Sequence, residues 1–178
     1  MSYFSQFEKG FYDIKGDGNQ KLVTDLLTRV KVRTGVINEL SLYDLYDVPA
    51  GDTPEDVAFY HFGDAQLHFV ILLTNNITDV YHEWPMDDIT FEKYVNDKYA
   101  NPNGIHHYEK AVSSGKTIQR GSNDYSHVME VNSTEPGAVS ISNYQYELRE
   151  QDKRRQIKLL SNDFLRAFLE EFSTLVSA

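Results

Sequence analysis

With 178 residues, 40% of them hydrophobic and including 12 Tyr and 10 Phe, the chain can build one domain or a small module with decorations, and global disorder is not expected. A formal net charge of −10, from 27 acidic against 17 basic residues, argues against nucleic acid as the main partner, because phosphate binding needs clustered Lys and Arg that release counterions. The absence of cysteine removes any disulfide framework or thiolate metal site, and it suits folding in a reducing cytoplasm.

The first eight residues lack a basic region leading into an apolar run, and no later stretch reaches membrane-spanning length, so neither an export signal nor an anchor is expected. Residues 1–23 are aromatic, with Tyr3, Phe4, Phe7, Phe11 and Tyr12, and they turn at Gly16-Asp17-Gly18-Asn19. Asp13, Asp17 and Gly18 have calcium-loop spacing, yet Lys15 occupies a ligand position and Thr24 stands where a bidentate Glu belongs. The stretch reads instead as an aromatic arm that docks on its own core or on a neighbour. Residues 24–30 read as a short helix capped by Thr24, with Val30-Lys31-Val32-Arg33 either extending it or alternating as a strand.

Residues 46–85 organise the rest. A short alternating run, Tyr46-Asp47-Val48, turns at Pro49-Ala50-Gly51 and meets Asp52-Thr53-Pro54, a helix start in which Thr53 caps and Pro54 lacks an N–H that would be orphaned anyway. That helix stops at Gly63, which enters the left-handed conformation without steric cost, and Asp64 caps a second helix from Ala65 to about Thr74, ending at Asn75-Asn76. Leu67, Phe69, Val70, Ile71, Leu72 and Leu73 cover almost the whole circumference of the second helix, so it must be buried on more than one side. A buried strand over residues 69–73 is the competing local reading.

A strand, a Gly-Asp-Thr turn, two short helices and a closing asparagine together resemble a LysM module, on Val48, Gly51, Asp52, Thr53, Gly63, Asp64, Asn75 and Asn76. The usual return strand is missing locally. The chain continues instead as Asp79-Val80-Tyr81-His82-Glu83-Trp84-Pro85, and with that tail the segment resembles the baseplate wedge protein 53 family of contractile-tailed phages.

Beyond Pro85, Asp87 or Asp88 caps a helix from Ile89 to about Tyr99, and Asn101-Pro102-Asn103-Gly104 is a turn. Residues 105–142 read as short strands with polar loops. His127-Val128-Met129-Glu130-Val131 and Ala138-Val139-Ser140-Ile141 flank Glu135-Pro136-Gly137 as a hairpin, and Ser113-Ser114-Gly115 and Gly121-Ser122-Asn123 read as mobile loops. A tyrosine-rich stretch from Asn143 then leads through a charged run to Arg155-Gln156-Ile157-Lys158. A last helix, capped near Ser161-Asn162, repeats Phe164, Leu165, Phe168, Leu169, Phe172, Leu175 and Val176 at helical spacing. This order resembles the end of the same family. The expected fold is therefore α+β: a small LysM-like strand-helix-helix module at residues 42–86, set between an N-terminal arm and short helix at 1–41 and a C-terminal region at 87–178.

Catalytic patterns are not found. The six histidines show no helical metal spacing, and His106-His107, placed in a loop, offer at most adventitious metal binding. No nucleophile elbow, phosphate loop or dinucleotide fingerprint occurs. No enzyme activity, cofactor or metal is expected. The resemblance implies a structural subunit of a tail baseplate wedge, present in several copies. Its expected partners are other wedge subunits, the central hub and sheath-nucleating proteins, with neither nucleic acid nor membrane among them, in the virion and in the host cytoplasm during assembly. The candidate contact residues are Phe69, Leu72 and Leu73 on an exposed side of the second helix, Tyr81 and Trp84 beyond it, and Phe168 and Phe172 on the last helix, with a core plug as the alternative role for Trp84. LysM modules also bind N-acetylglucosamine polymers, so peptidoglycan binding at Gly51 to Pro54 and Asn76 to Asp79 is the rival reading.

Overall fold

The computed structural model describes residues 3–113, 115–116, 123–124 and 126–177. After a 3-10 turn at Tyr3–Gln6 come strands β1 (Lys9–Tyr12) and β2 (Lys21–Thr24), helix α1 (Thr34–Ile37), strand β3 (Tyr43–Asp47), and helices α2 (Pro54–Phe62), α3 (His68–Thr74), α4 (Val80–Glu83) and α5 (Asp88–Lys98). Strands β4 (Ile105–Val112), β5 (Gly115–Lys116), β6 (Asn123–Asp124), β7 (His127–Val131) and β8 (Val139–Ser142) follow, then helix α6 (Asn143–Arg155), strand β9 (Gln156–Leu160) and helix α7 (Asn162–Val176). This α+β chain divides into two compact units, residues 1–85 with 154–178, and residues 86–153.

In the first unit, the local signals of the central segment fold as their chemistry dictates. Thr53 accepts from the Asp56 N–H at 3.2 Å while Asp56 accepts from the Thr53 N–H at 3.0 Å, a reciprocal capping box. Gly63, at φ 78°, closes α2 by donating to the Phe59 carbonyl. Asp64 accepts from Gln66 N–H at 2.9 Å and opens a 3-10 turn, Ala65–Leu67, that runs into α3. Residues 69–73 are thus helical and not a strand. Both sides of α3 are covered: Phe69 and Val70 join Tyr43, Leu160 and Phe172, whereas Ile71 joins Val48, Val57, Trp84 and Ile157.

No return strand follows the two helices locally, and β3 finds its partner in β9, distant in sequence. β9 pairs antiparallel with β3, Tyr43 opposite Leu160 and Asp47 opposite Gln156, and Val48 N–H continues the contact to the Arg155 carbonyl at 2.9 Å. Two small apolar clusters can close only once this strand is in place, because Ile157, Leu159 and Leu160 belong to them.

The expected helix over residues 24–30 does not form. Thr24 is held in the β1–β2 ladder opposite Lys9, Asp25 N–H donates to the Glu8 carbonyl at 2.8 Å, and the Asp25 carboxylate accepts from Leu27 N–H. A side chain that captures nearby backbone in this way competes with helix formation. Residues 25–33 are neither helix nor strand, and among the described residues the only α-helix before β3 is α1, followed by a 3-10 turn at Leu40–Leu42.

In the second unit, β4 is central in a three-stranded sheet of order β7-β4-β8. The expected hairpin of β7 with β8 is therefore not formed: β4, the longest strand, lies between them and pairs antiparallel with both. His106 and His107 lie on this strand, not in a loop. Of the two loops read as mobile, Ser114, Gly121 and Ser122 fall outside the described residues. Asp87 caps α5 as expected, accepting from Ile89 and Thr90 N–H at 3.0 Å each. The charged run before Arg155 is helical as part of α6, a helix that buries only Glu147 and Gln151, four residues apart, and so lacks an apolar stripe.

Candidate assembly surface

The residues of the LysM-like motif are occupied in holding the first unit together. Gly51 turns at φ 91°, and the carbonyl of Asp52 accepts from the Trp84 indole N–H at 2.8 Å. Asn75 works as a clamp. Its Nδ2 donates to the Ile71 carbonyl at 2.9 Å and the Lys158 carbonyl at 2.8 Å, and its Oδ1 accepts from Lys158 N–H at 2.8 Å, so one side chain reads a β9 residue as a neighbouring strand would. Asn76 follows in the left-handed region at φ 55°, which asparagine tolerates better than other side chains. Glu83 accepts from Thr78 and Asp79 N–H at 2.6 and 3.0 Å, and the Asp79 hydrogen bond above all holds its carboxyl below the ordinary range.

The candidate contact residues separate into two groups. Phe69, Trp84 and Phe172 are buried in the chain's own core, at 4%, 5% and 2% exposure, so they present no surface in the folded unit. Phe69 and Phe172 lie with ring centroids 5.1 Å apart, and Tyr3 contacts both at 5.2 and 5.7 Å, which docks the start of the aromatic arm on α3 and α7. Rings at such distances add about 0.5–1.5 kcal/mol per pair beyond burial. Burial also raises the Tyr3 and Tyr43 hydroxyls above the usual tyrosine range. Leu72, Leu73 and Phe168 are half-buried, and Tyr81 is 88% exposed. Leu72 and Leu73 line a shallow hollow of about 440 Å³ with Phe4 and Ile77.

A second apolar surface lies where only an arm and a helix were expected. The β1–β2 hairpin exposes Phe11, Tyr12 and Leu22, with Ile14 in its turn and Leu26 and Leu27 just after it, Leu27 at 90%. Its turn is tied by Asp13, whose carboxylate accepts from Gly16 and Gly18 N–H at 2.7 Å each and from Lys15 and Asp17 N–H. These bonds, that from Gly18 foremost, hold its carboxyl below the ordinary range and use the oxygens that a cation would need. A two-stranded hairpin is marginal in water by itself, and this one shows its apolar side chains to solvent. The sequence signal was present: two four-residue runs, Lys9-Gly10-Phe11-Tyr12 and Lys21-Leu22-Val23-Thr24, flank the glycine turn.

The second unit holds a polar network. Glu109 accepts from Arg149 Nη1 at 2.8 and 2.6 Å and pairs with His107 Nε2 at 2.8 Å, and Arg149 chiefly pulls its carboxyl below the ordinary range. Buried Glu147 accepts from Lys98 at 2.8 Å and from the Tyr99 hydroxyl at 2.7 Å, which pushes the Lys98 ammonium well above the usual lysine range. Among the described residues, no group of three His, Cys, Asp or Glu side chains could hold a metal, and no helix is long and apolar enough to cross a membrane.

Polar side chains engaged in capping, clamping and pairing, beside exposed apolar elements, define a protein whose visible chemistry is contact. Residues 35–104 match the family model of base plate wedge protein 53. The match supports a structural role in a phage baseplate and, with it, a place in the virion tail. No curated protein matches the chain.

Proposed function

We propose that the chain is a wedge subunit that joins wedge subunits to one another and around the central hub as the tail assembles in the host cytoplasm. Several copies act in each particle, in contact with hub and sheath-nucleating proteins. The observation that carries this reading is the family match over residues 35–104, which spans the two-helix segment and its Trp84 plug. The exposed hairpin, with Phe11, Tyr12 and Leu22, and the separate side chains Leu72, Leu73, Tyr81 and Phe168 supply surface for neighbours. Aromatic anchors in such positions carry much of the energy of protein contacts. The family supports a structural protein and not an enzyme.

The glycan reading gains nothing from the geometry. Near Gly51 to Pro54 the Trp84 indole is spent on the Asp52 carbonyl, and near Asn76 to Asp79 the Thr78 and Asp79 amides are spent on Glu83. The test is size-exclusion chromatography with light scattering, on the chain alone and mixed with wedge, hub and sheath-nucleating proteins of the same tail. A defined larger complex is expected. A chain that elutes unchanged with every partner, or that pelts down with peptidoglycan and loses this on substitution of Asp52 and Asn76, sinks the proposal.

A further inference from the structure

The chain is acidic, yet residues 9–33 carry six basic and three acidic side chains. The sharpest part of this reversal is Arg29-Val30-Lys31-Val32-Arg33. Exposure alternates along it, Arg29, Lys31 and Arg33 outward and Val30 and Val32 half-buried, and Arg33 has φ −65° and ψ 139°. The alternation is that of an extended segment with one face on a core, and the Arg33 angles are those of polyproline-type extended backbone. It has no partner strand: among the described residues, the backbone groups of Arg29, Val30, Lys31 and Val32 make no hydrogen bond, and none of the three cations pairs with a carboxylate.

All five residues line one groove of about 470 Å³, whose other wall is α7 through Phe168, Glu171 and Leu175, with Val36 at one end. A strand that turned only one face to the groove would contribute alternate residues. Here all five in a row line it, and the unbonded N–H and C=O groups of residues 29–32 lie along that run, whereas the Arg33 carbonyl accepts from Val36 and Ile37 N–H. The groove carries three cations against one carboxylate, Glu171, and its volume lies within the ~300–1,000 Å³ typical of binding clefts.

We propose that residues 29–33 are a strand-addition site for an extended acidic segment of a partner protein, one with carboxylates at alternate positions and small apolar side chains between them. Backbone pairing supplies the ladder, the alternate carboxylates meet Arg29, Lys31 and Arg33, and the intervening apolar groups face Phe168 and Leu175. This holds for any acidic partner strand and does not rest on the wedge reading.

The test measures fluorescence anisotropy of labelled peptides with the full chain. The probes are a capped hexapeptide of alternating glutamate and valine, its version N-methylated at alternate amides, and the alternating lysine-valine peptide. Saturable binding of the first is expected, weakened at least about ten-fold by N-methylation or by the triple change Arg29→Glu, Lys31→Glu, Arg33→Glu. It should weaken too on raising salt from about 50 mM to about 300 mM. Because the three side chains are exposed, the variant keeps its fold, which Trp84 fluorescence checks. Equal binding of the N-methylated or the lysine-valine peptide, or no binding of the glutamate-valine peptide up to about 1 mM, overturns the proposal.

Discussion

Replacing Asn75 by alanine removes three hydrogen bonds of 2.8–2.9 Å at once, to the Ile71 carbonyl and to both backbone groups of Lys158. At a net value of about 1 kcal/mol per bond, with an added cost for the part-buried Lys158 N–H left unpaired, the loss comes to about 2–4 kcal/mol. The single tryptophan, Trp84, lies in the same unit and is 5% exposed, so its fluorescence follows that unit alone through urea denaturation. With an m-value of about 2 kcal/mol/M, the midpoint should fall by about 1–2 M. Hydrogen exchange at Lys158 should accelerate with it. Asn75→Asp should make the loss depend on pH. Its carboxylate can still accept from Lys158 N–H but faces two carbonyls, so its folded-state pKa should rise above the ordinary ~3.9. Stability relative to the parent chain is then highest below that ordinary value and is lost as pH rises through the folded-state value. A midpoint moved by less than about 0.3 M in Asn75→Ala, with unchanged exchange at Lys158, would refute the clamp.

Loss of the capping box in Thr53→Ala should lower the first unit's stability by about 1 kcal/mol, measured by the same urea titration. Gly63→Ala should cost about 1–2 kcal/mol from the φ of 78° alone, since nothing lies within 4 Å of an added Cβ. Trp84→Phe leaves the Asp52 carbonyl without its indole donor and opens space in the core, for a loss of about 2–3 kcal/mol by circular dichroism. In the second unit, the lowered Glu109 carboxyl contributes stability that is present above its ordinary value of 4.5 and lost as pH falls through the lowered one. Glu109→Gln should therefore cost about 1–2 kcal/mol at neutral pH and flatten the acid limb of that unit's stability curve, read from exchange of the β4 amides.

What could be read from the sequence was local chemistry. Thr53, Pro54, Gly63, Asp64 and Asp87 act within a few residues of themselves, and each fixes a helix end in the structure. The apolar circumference of α3 also foretold its position between two clusters. Long-range pairing was not legible. Nothing in Tyr43 to Asp47 specifies β9 as a partner, and Asn75 reads as a helix stop until Lys158 is beside it. The β7-β4-β8 order likewise overrides a short turn that favoured a hairpin. α6 escaped notice because a helix that buries only Glu147 and Gln151 shows no apolar period. At the candidate surface, burial by α7 and the N-terminal arm moves Phe69 and Phe172 inward, and Asp52 draws in Trp84. Tyr81, on the short α4, stays outside.

The most direct test of a structural baseplate role is electron microscopy of tails assembled with and without this chain. In its absence, wedges should accumulate unjoined, with complete baseplates restored when the chain is added back. Complete, sheathed tails formed without it would contradict the account.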